Sequence, residues 1–320
     1  MRVWIALALA TLVLASGAVA GPQKIALGKF HEWDALRDGA RKSYTAGGLT
    51  LTLVARKRPR DVDMAADDDN RGTLIVTAED GATTRLAFEG GFRYPKARVA
   101  VGTLDPGNAV PQVILQVFTG GAHCCLLQTV FVHRDGGWKS YPVRGGANDE
   151  DVEFPKDLDG DGVPDFVVTD DSFAYAFAGF AGCWLPPLVF TMKDGVLVDV
   201  SGSRRFDRIY RANIKIAKEG CAPPGANGMC AGYVADAARL GTFRTAWRHM
   251  LVNYDRTDRW GWPGGCKHDR PNAVCEPGPE NKFRNYPEAL AAYLQKLGYI
   301  SSSDARWAVT ESRKPAYQGK

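Results

Sequence analysis

The sequence predicts an α+β fold in which a β-rich N-terminal region precedes a mainly helical C-terminal section stapled by disulfides. Between residues 48 and 200, short runs alternate apolar and polar side chains and are separated by Asp-Gly turns, as in half-buried strands. Beyond residue 204, apolar side chains recur at steps of three and four, as on one face of a helix. The chain also contains seven cysteines, and four of them form two pairs spaced nine residues apart.

Residues 1–20 have the features of a signal peptide. Arg2 precedes an apolar stretch too short to span a bilayer comfortably, and the small residues Ala18 and Ala20 flank Val19 before Gly21. We therefore expect an exported protein, periplasmic or secreted, whose folded part begins at residue 21.

The β-rich region is expected to cover residues 21–203. Its predicted strands are residues 50–55, 72–78, 84–88, 112–118, 127–133, 164–169, 188–192 and 196–200. The dipeptides at 80–81, 135–136 and 194–195 are all Asp-Gly, which favours hairpin turns.

An internal repeat lies inside this region. Residues 118–138 align with residues 177–197 without a gap and share nine of 21 positions, and residues 110–115 resemble residues 163–168. Two consecutive copies of one supersecondary unit are therefore predicted. The repeat also bears on residues 172–192, which carry no charge. We interpret them as a pair of buried strands and not as a membrane span, because the first copy is polar at equivalent positions.

The C-terminal section, residues 204–320, is expected to be helical. Residues 232–254 place apolar side chains on one amphipathic face, and residues 286–297 repeat the pattern with Gly298 as a C-terminal stop.

Cysteine spacing favours two local disulfides, Cys221 with Cys230 and Cys266 with Cys275, each contributing about 2–3 kcal/mol by restricting the unfolded loop. Connectivity does not follow from sequence alone. The remaining cysteines are Cys124, Cys125 and Cys183.

The most specific motif is aspartate-rich and occupies residues 157–165. Asp157, Asp159 and Asp161 stand at positions 1, 3 and 5 of this loop, and Asp165 stands at position 9. Calcium prefers hard oxygen ligands, and carboxylates at this spacing converge when the chain curls around an ion. Val163 at position 7 is expected to add its backbone carbonyl.

Two further positions define the type of loop. Gly162 at position 6 permits the backbone turn that the ligands require. Position 12 is Val168, where an EF-hand needs an acidic residue, and the flanks are predicted strands. The prediction is one Ca²⁺ in a strand-turn-strand loop.

The surroundings of the loop are acidic. Ten carboxylates between residues 149 and 171 accompany a single cation, Lys156, and such repulsion is costly without a bound cation. Magnesium suits the motif less well because it demands strict octahedral geometry. An acidic turn that binds no metal remains an open alternative.

Residues 157–168 resemble the calcium loop of FG-GAP repeats, the integrin-type β-propeller blade, and of the related VCBS repeats of exported bacterial proteins. The resemblance covers about residues 99–200 and implies two blade-like β units in which the ion stabilises a turn. It implies a partial propeller or a sandwich, because a closed propeller takes about four to eight blades. The loop of the first copy, residues 103–112, has lost most of these side chains, so we expect no metal there.

Two other groups of residues could take part in chemistry or binding. His123 beside Cys124 could form a Cys–His nucleophile, and together with Cys125 and Cys183 these residues could hold zinc. A disulfide or a packed thiol is the interpretation that we favour. Trp260 and Trp262 lie on a Gly/Pro-rich loop and could stack on a sugar or a partner protein, or cap a small core.

The charge balance bears on partners. Forty basic and 36 acidic residues give a net charge of +4, too balanced to imply nucleic acid or an anionic membrane as a partner. The sequence therefore predicts an exported calcium-binding protein with a structural ion and a protein- or glycan-binding role. The alternative is a secreted hydrolase with catalytic residues in the C-terminal section or at the junction. No catalytic residue or organic cofactor is predicted.

Overall fold

The fold is taken from a computed structural model that describes residues 21–56, 70–91, 94–120, 126–146, 152–222, 227–267, 274–279 and 281–317. The predicted signal peptide, residues 1–20, lies outside the described residues, as do His123, Cys124 and Cys125. Within the described part of the chain, every helix is too short or too polar to cross a membrane.

The strands of the described chain are β1 (Gln23–Lys24), β2 (His31–Asp34), β3 (Arg41–Ala46), β4 (Leu49–Ala55), β5 (Arg71–Thr77), β6 (Thr83–Glu89), β7 (Lys96–Gly102), β8 (Gln112–Phe118), β9 (Leu126–Arg134), β10 (Gly137–Val143), β11 (Asp165–Thr169), β12 (Pro187–Lys193), β13 (Val196–Asp199), β14 (Trp262–Pro263) and β15 (Val274–Cys275). The α-helices are α1 (Ala35–Asp38), α2 (Asp207–Gly220), α3 (Asn227–Arg239), α4 (Phe243–Asn253), α5 (Tyr286–Lys296) and α6 (Ser302–Ser312).

The strands form three open sheets and a short ribbon. Sheet I has the order β1-β3-β4-β5-β6, sheet II the order β10-β9-β8-β7-β2, and sheet III the order β11-β12-β13. Strands β14 and β15 form the ribbon. All pairs are antiparallel except β1 with β3.

Sheet II is the middle layer of the β-rich region. One of its faces packs on sheet I, where Leu115 shares a core with Leu51 and Leu74. The opposite face packs on sheet III, where Ile114 shares a second core with Phe166. Strand β8 is therefore covered on both faces, and alternate side chains enter different cores.

The helical section covers the other face of sheet III. Val189 of β12 packs with Phe206 and Tyr210 at the start of α2 and with Leu240 after α3. A larger apolar core then joins α3, α4, α5 and α6. The predicted α+β class is confirmed: open β-sheets are followed by a helical section that carries two disulfides.

The internal repeat corresponds to two three-stranded meanders with the same register. Val113 of β8 pairs with Phe131 of β9, and the equivalent Phe166 of β11 pairs with Phe190 of β12. The following hairpins, β9–β10 and β12–β13, also match in register. The sequence repeat is thus a repeat of strand pairing.

The two equivalent hairpins turn through the predicted Asp-Gly dipeptides. Asp135 and Asp194 have φ values of 54° and 52°, and Gly136 and Gly195 have φ values of 74° and 77°. Positive φ at both central residues is the geometry of a type I′ turn, which suits the twist of paired strands.

Two predictions of secondary structure were wrong. Residues 232–254 form two helices, α3 and α4, because the chain reverses at Gly241, whose φ is 72°. The uncharged residues 172–192 do not form a pair of strands. Only β12 is a strand there, and two 3₁₀ turns, Asp171–Phe173 and Phe180–Gly182, occupy the preceding part.

Both predicted disulfides are present and staple the helical section. Cys221 is bonded to Cys230, and Cys266 is bonded to Cys275. Cys183 is a half-buried free thiol, and burial raises its pKa.

Candidate functional site

The aspartate loop, residues 157–165, leads directly into β11. The backbone N–H of Asp165 donates to the carbonyl of Lys156 at 2.9 Å, and the two residues form an isolated antiparallel bridge that closes the base of the loop. The flank after the loop is the predicted strand, β11, whereas the flank before it contributes a single bridge residue, Lys156, and no strand. Gly160 and Gly162 turn the chain inside the loop with φ values of 84° and 88°, a region that strongly favours glycine.

Three of the predicted ligands are brought together. One carboxylate oxygen from each of Asp157, Asp159 and Asp165 lies within 4.8 Å of the other two. Asp157 is exposed and Asp165 is buried, so the group extends from the surface into the edge of sheet III. Three carboxylates this close repel one another, and a cation between them would relieve that repulsion.

The protein holds these carboxylates by different means. Gly162 N–H and Gly160 N–H donate to the two oxygens of Asp157 at 2.9 and 2.7 Å, and the pKa of Asp157 is lowered, chiefly by the bond from Gly162. Burial raises the pKa of Asp165, and the charges of Asp159 and Asp161 add to that rise. The ionised form of Asp165 is thus less favoured without a cation than that of Asp157.

An arginine from the helical section covers the outer side of the loop. The Nη1 atom of Arg205 lies 3.1 Å from Oδ2 of Asp159 and 3.3 Å from Oδ2 of Asp161. The Asp159 side chain is only 4% exposed, whereas the Arg205 side chain is 62% exposed. Arg205 could not be identified from the sequence, because it precedes α2 and no ligand spacing connects it with the loop.

The other two predicted ligands are Asp161 and the backbone carbonyl of Val163. Asp161 lies outside the converging group and pairs with Arg205, while its Oδ1 accepts from Val163 N–H at 2.9 Å. The side chain of Val163 packs against the core between sheets II and III. A role for its carbonyl as a ligand stays a prediction.

The loop of the first copy is closed by an amide in place of a carboxylate. Leu104 N–H donates to Oε1 of Gln112 at 2.6 Å, as Leu158 N–H donates to Oδ2 of Asp165 at 3.0 Å. Gln112 and Asp165 occupy equivalent positions in the two meanders. Asp105 in the first loop accepts from Gly195 N–H at 2.8 Å, so its carboxylate holds the turn of the second hairpin.

The two tryptophans that we singled out lie in different environments. Trp260 is 39% exposed, and its indole N–H donates to the carbonyl of Tyr175 at 2.9 Å. Tyr175 is 43% exposed and has a φ of 58°, a strained value for an aromatic residue. Trp262 is buried in β14 and belongs to the core of the helical section, in keeping with the alternative that it caps a small core.

A buried acid that no sequence pattern indicates lies in α3. Asp236 is completely buried, and its Oδ2 accepts from Trp184 Nε1–H at 2.7 Å. Its Oδ1 has no hydrogen-bond partner among the described residues, and burial raises the pKa of Asp236 to about 7. Without contact to solvent, this carboxyl cannot reach a substrate.

Comparisons with known proteins match the helical section and part of the β-rich region. The family described as the sll0997 C-terminal domain matches residues 204–298. The chain is 32% identical over 214 residues to the "Probable thylakoid lumen protein sll0997" of Synechocystis sp., covering 65% of this chain and 62% of that protein. It is 30% identical over 285 residues to the "Uncharacterized protein y4bJ" of Sinorhizobium fredii, covering 85% of this chain and 44% of that protein.

The chain thus spans less than two thirds of the length of either curated relative. No solved structure matches it. The family match begins at residue 204, where the helical section was predicted to begin.

Proposed function

We propose that this chain is an exported calcium-binding protein in which one Ca²⁺ stabilises the aspartate loop, and that its two meanders are FG-GAP- or VCBS-like units. The observation that carries the proposal is the convergence of Asp157, Asp159 and Asp165 within 4.8 Å on a loop turned by two glycines. Carboxylates are the hard oxygen donors that calcium takes, and the loop leads directly into strand β11.

Five residues of the loop would provide the oxygen ligands of the ion. The carboxylates of Asp157, Asp159 and Asp165 are already gathered, and Asp161 and the carbonyl of Val163 would complete the oxygen set. Calcium would supply positive charge that neutralises the group and fixes the turn. Arg205 supplies part of that charge from outside, to Asp159 and Asp161.

Export is supported by the two disulfides, which persist in oxidising compartments. It is also supported by likeness to a relative whose name places it in the thylakoid lumen. A protein- or glycan-binding role is supported by the exposed aromatic pair of Tyr175 and Trp260. The hydrolase alternative gains nothing from Asp236, because that acid is sealed from solvent.

Isothermal titration with Ca²⁺ tests the proposal. The wild type should bind one equivalent, and the double variant Asp159→Ala, Asp161→Ala should lose measurable binding. The control is Asp135→Asn, which changes a 94% exposed turn residue elsewhere in the β-rich region and should bind as the wild type does. Absence of Ca²⁺ binding by the wild type, or tighter binding of Mg²⁺, would reject the calcium assignment.

A further inference from the structure

Strand β6 is the free edge of sheet I. It pairs with β5 along one side in an unbroken register, and no other described strand pairs with its second side. The strand is seven residues long and contains no proline. A long edge strand presents a row of backbone groups that can pair with another chain, and proteins often interrupt such an edge with proline or a bulge. The edge of sheet I therefore offers a template for one more strand.

Every second residue of β6 directs its backbone groups towards this edge. Gly90, directly after the strand, donates its N–H to the carbonyl of Asn70 at 3.0 Å, in line with the pairing of β6 and β5. Antiparallel partners alternate between hydrogen-bonded and non-hydrogen-bonded pairs. The residues of even number thus bond to β5, whereas Arg85, Ala87 and Glu89 turn their N–H and C=O groups away from it.

An apolar cleft of about 390 Å³ lies beside this edge, between β6 and sheet II. Its lining includes residues of β6, β8 and β9, namely Leu86, Phe88, Leu115, Val117, Leu127 and Thr129. Leu127 is 51% exposed, although it lies on the face of β9 that carries Phe131 into the core between sheets I and II. Sheet II thus reaches beyond β6, and no described strand covers Leu127 from the side of sheet I.

The outer face of β6 indicates which strand fits the edge. Arg85 and Glu89 are exposed on that face, on either side of Ala87. Arg85 forms no ion pair with any described residue, whereas Arg71 of β5 stands opposite Glu89 and offsets part of its charge. An acidic residue opposite Arg85 and a basic residue opposite Glu89 would complement this face, and Arg85 would dominate the preference.

We infer that the β6 edge binds an extended peptide segment of a partner protein, which adds an antiparallel strand to sheet I. The segment has the pattern basic, apolar, any residue, apolar, acidic. Its acid lies opposite Arg85, and its two apolar side chains enter the cleft against Leu127 because side chains alternate between the faces of a strand.

A second copy of this chain does not fit the edge. Pairing through its own β6 would bring its β9 into the space that this β9 occupies, because β9 lies beneath the added strand in both copies. The inference goes beyond the proposed function, since neither the aspartate loop nor the pair of Tyr175 and Trp260 takes part.

Two labelled heptapeptides test the inference by fluorescence polarisation with the full chain. Thr-Lys-Val-Thr-Val-Glu-Thr has the inferred pattern, and Thr-Glu-Val-Thr-Val-Lys-Thr has the same composition with the charges exchanged. The first should bind at least about threefold more tightly, because opposite charges across a sheet stabilise a pair and like charges destabilise it. Equal binding, tighter binding of the second peptide, or no binding of either would overturn the inference.

Two variants locate the peptide on β6. Ala87→Pro removes an N–H that points away from β5, a change that an edge strand tolerates, and it should abolish binding of the first peptide. The charge reversal Arg85→Glu, Glu89→Lys should reverse the preference between the peptides, and it decides the question if proline disturbs the fold. Unchanged binding by folded Ala87→Pro, or an unchanged preference after charge reversal, would contradict binding at this edge.

A third variant tests the cleft. Leu127→Ser should weaken both peptides, whereas Leu36→Ser, which alters a 63% exposed leucine on α1, is the matched control and should leave them unchanged. Equal effects of the two changes would contradict a role for the cleft.

Two further measurements separate this inference from its alternatives. Peptide binding should be the same in calcium and in chelator, and its loss from the folded chain in chelator would contradict the independence of the edge from the aspartate loop. Dimerisation of the wild type that Ala87→Pro abolishes would assign the edge to a second copy and overturn the peptide assignment.

Discussion

Replacing Asp236 with asparagine removes a buried acid and leaves a side chain of nearly the same shape. Asparagine can still accept from the indole N–H of Trp184, and its amide group can occupy the place of the unpartnered Oδ1. The variant therefore isolates the effect of charge from the effect of packing.

The magnitude follows from the pKa. An ordinary aspartate pKa of 3.8 is raised by burial to about 7 in Asp236, and at about 1.36 kcal/mol per pKa unit this corresponds to roughly 4 kcal/mol. Because the folded protein binds a proton that the unfolded chain has released, stability from this group is present below the unfolded pKa. This contribution to stability is lost as the pH rises from about 4 to about 7, and the loss does not grow further above about pH 7.

Urea unfolding, followed by tryptophan fluorescence, measures the effect. The free energy of unfolding of Asp236→Asn minus that of the wild type should increase by about 2–3 kcal/mol between pH 5 and pH 8, because part of the effect is already lost at pH 5. Asp194→Asn, an exposed turn residue in β12–β13, is the control and should show no such pH dependence. A difference between Asp236→Asn and the wild type that does not change with pH would refute the reasoning.

Three further changes have defined outcomes. Gly232→Ala should lower the free energy of unfolding by about 1–3 kcal/mol, because a Cβ there would lie 2.5 Å from the carbonyl oxygen of Trp184. Gly179→Ala, which has open space around its Cβ, should lower it much less, and equal losses in urea unfolding would contradict this reasoning. Arg205→Gln should bind Ca²⁺ several-fold more tightly in calorimetric titration, because it removes a cation that competes for Asp159 and Asp161, and weaker binding would show that Arg205 supports the site. Replacing Cys221 and Cys230 together with serine should cost about 2–3 kcal/mol in urea unfolding, and no loss would mean that the bridge restricts little in the unfolded chain.

The features that sequence could predict are those set by nearby residues. The turns at residues 135–136 and 194–195 follow from Asp-Gly dipeptides, which accept positive φ. Helix α5 follows from its apolar spacing and from the stop at Gly298, whose φ is 77°. The two disulfides follow from a spacing of nine residues.

The features that it could not predict depend on distant contacts. Strand β2 is short and polar in composition, yet it pairs with β7 and buries Trp33 completely. Its strand conformation comes from that pairing, which leaves no alternating pattern in the sequence. The break between α3 and α4 was missed because the apolar steps continue through Gly241, although its positive φ ends the helix.

Only those residues of the candidate site that lie within the aspartate loop could be predicted from the sequence. The carboxylates share one loop, so their spacing in the sequence indicated that they converge. In the structure, Asp157, Asp159 and Asp165 do lie together. Arg205 reaches the loop from 46 residues away through the packing of the helical section on sheet III. Likewise, Asp236 meets Trp184 across 52 residues, and no sequence rule connects them.

Thermal unfolding with calcium and with chelator tests the central claim most directly. If Ca²⁺ binds only the folded loop, a free concentration of about 100 times Kd should add about 2.7 kcal/mol and raise Tm by roughly 5–10 °C. The Asp159→Ala, Asp161→Ala variant should show no difference between the two conditions. An unchanged Tm of the wild type in chelator would contradict a structural calcium ion in this loop.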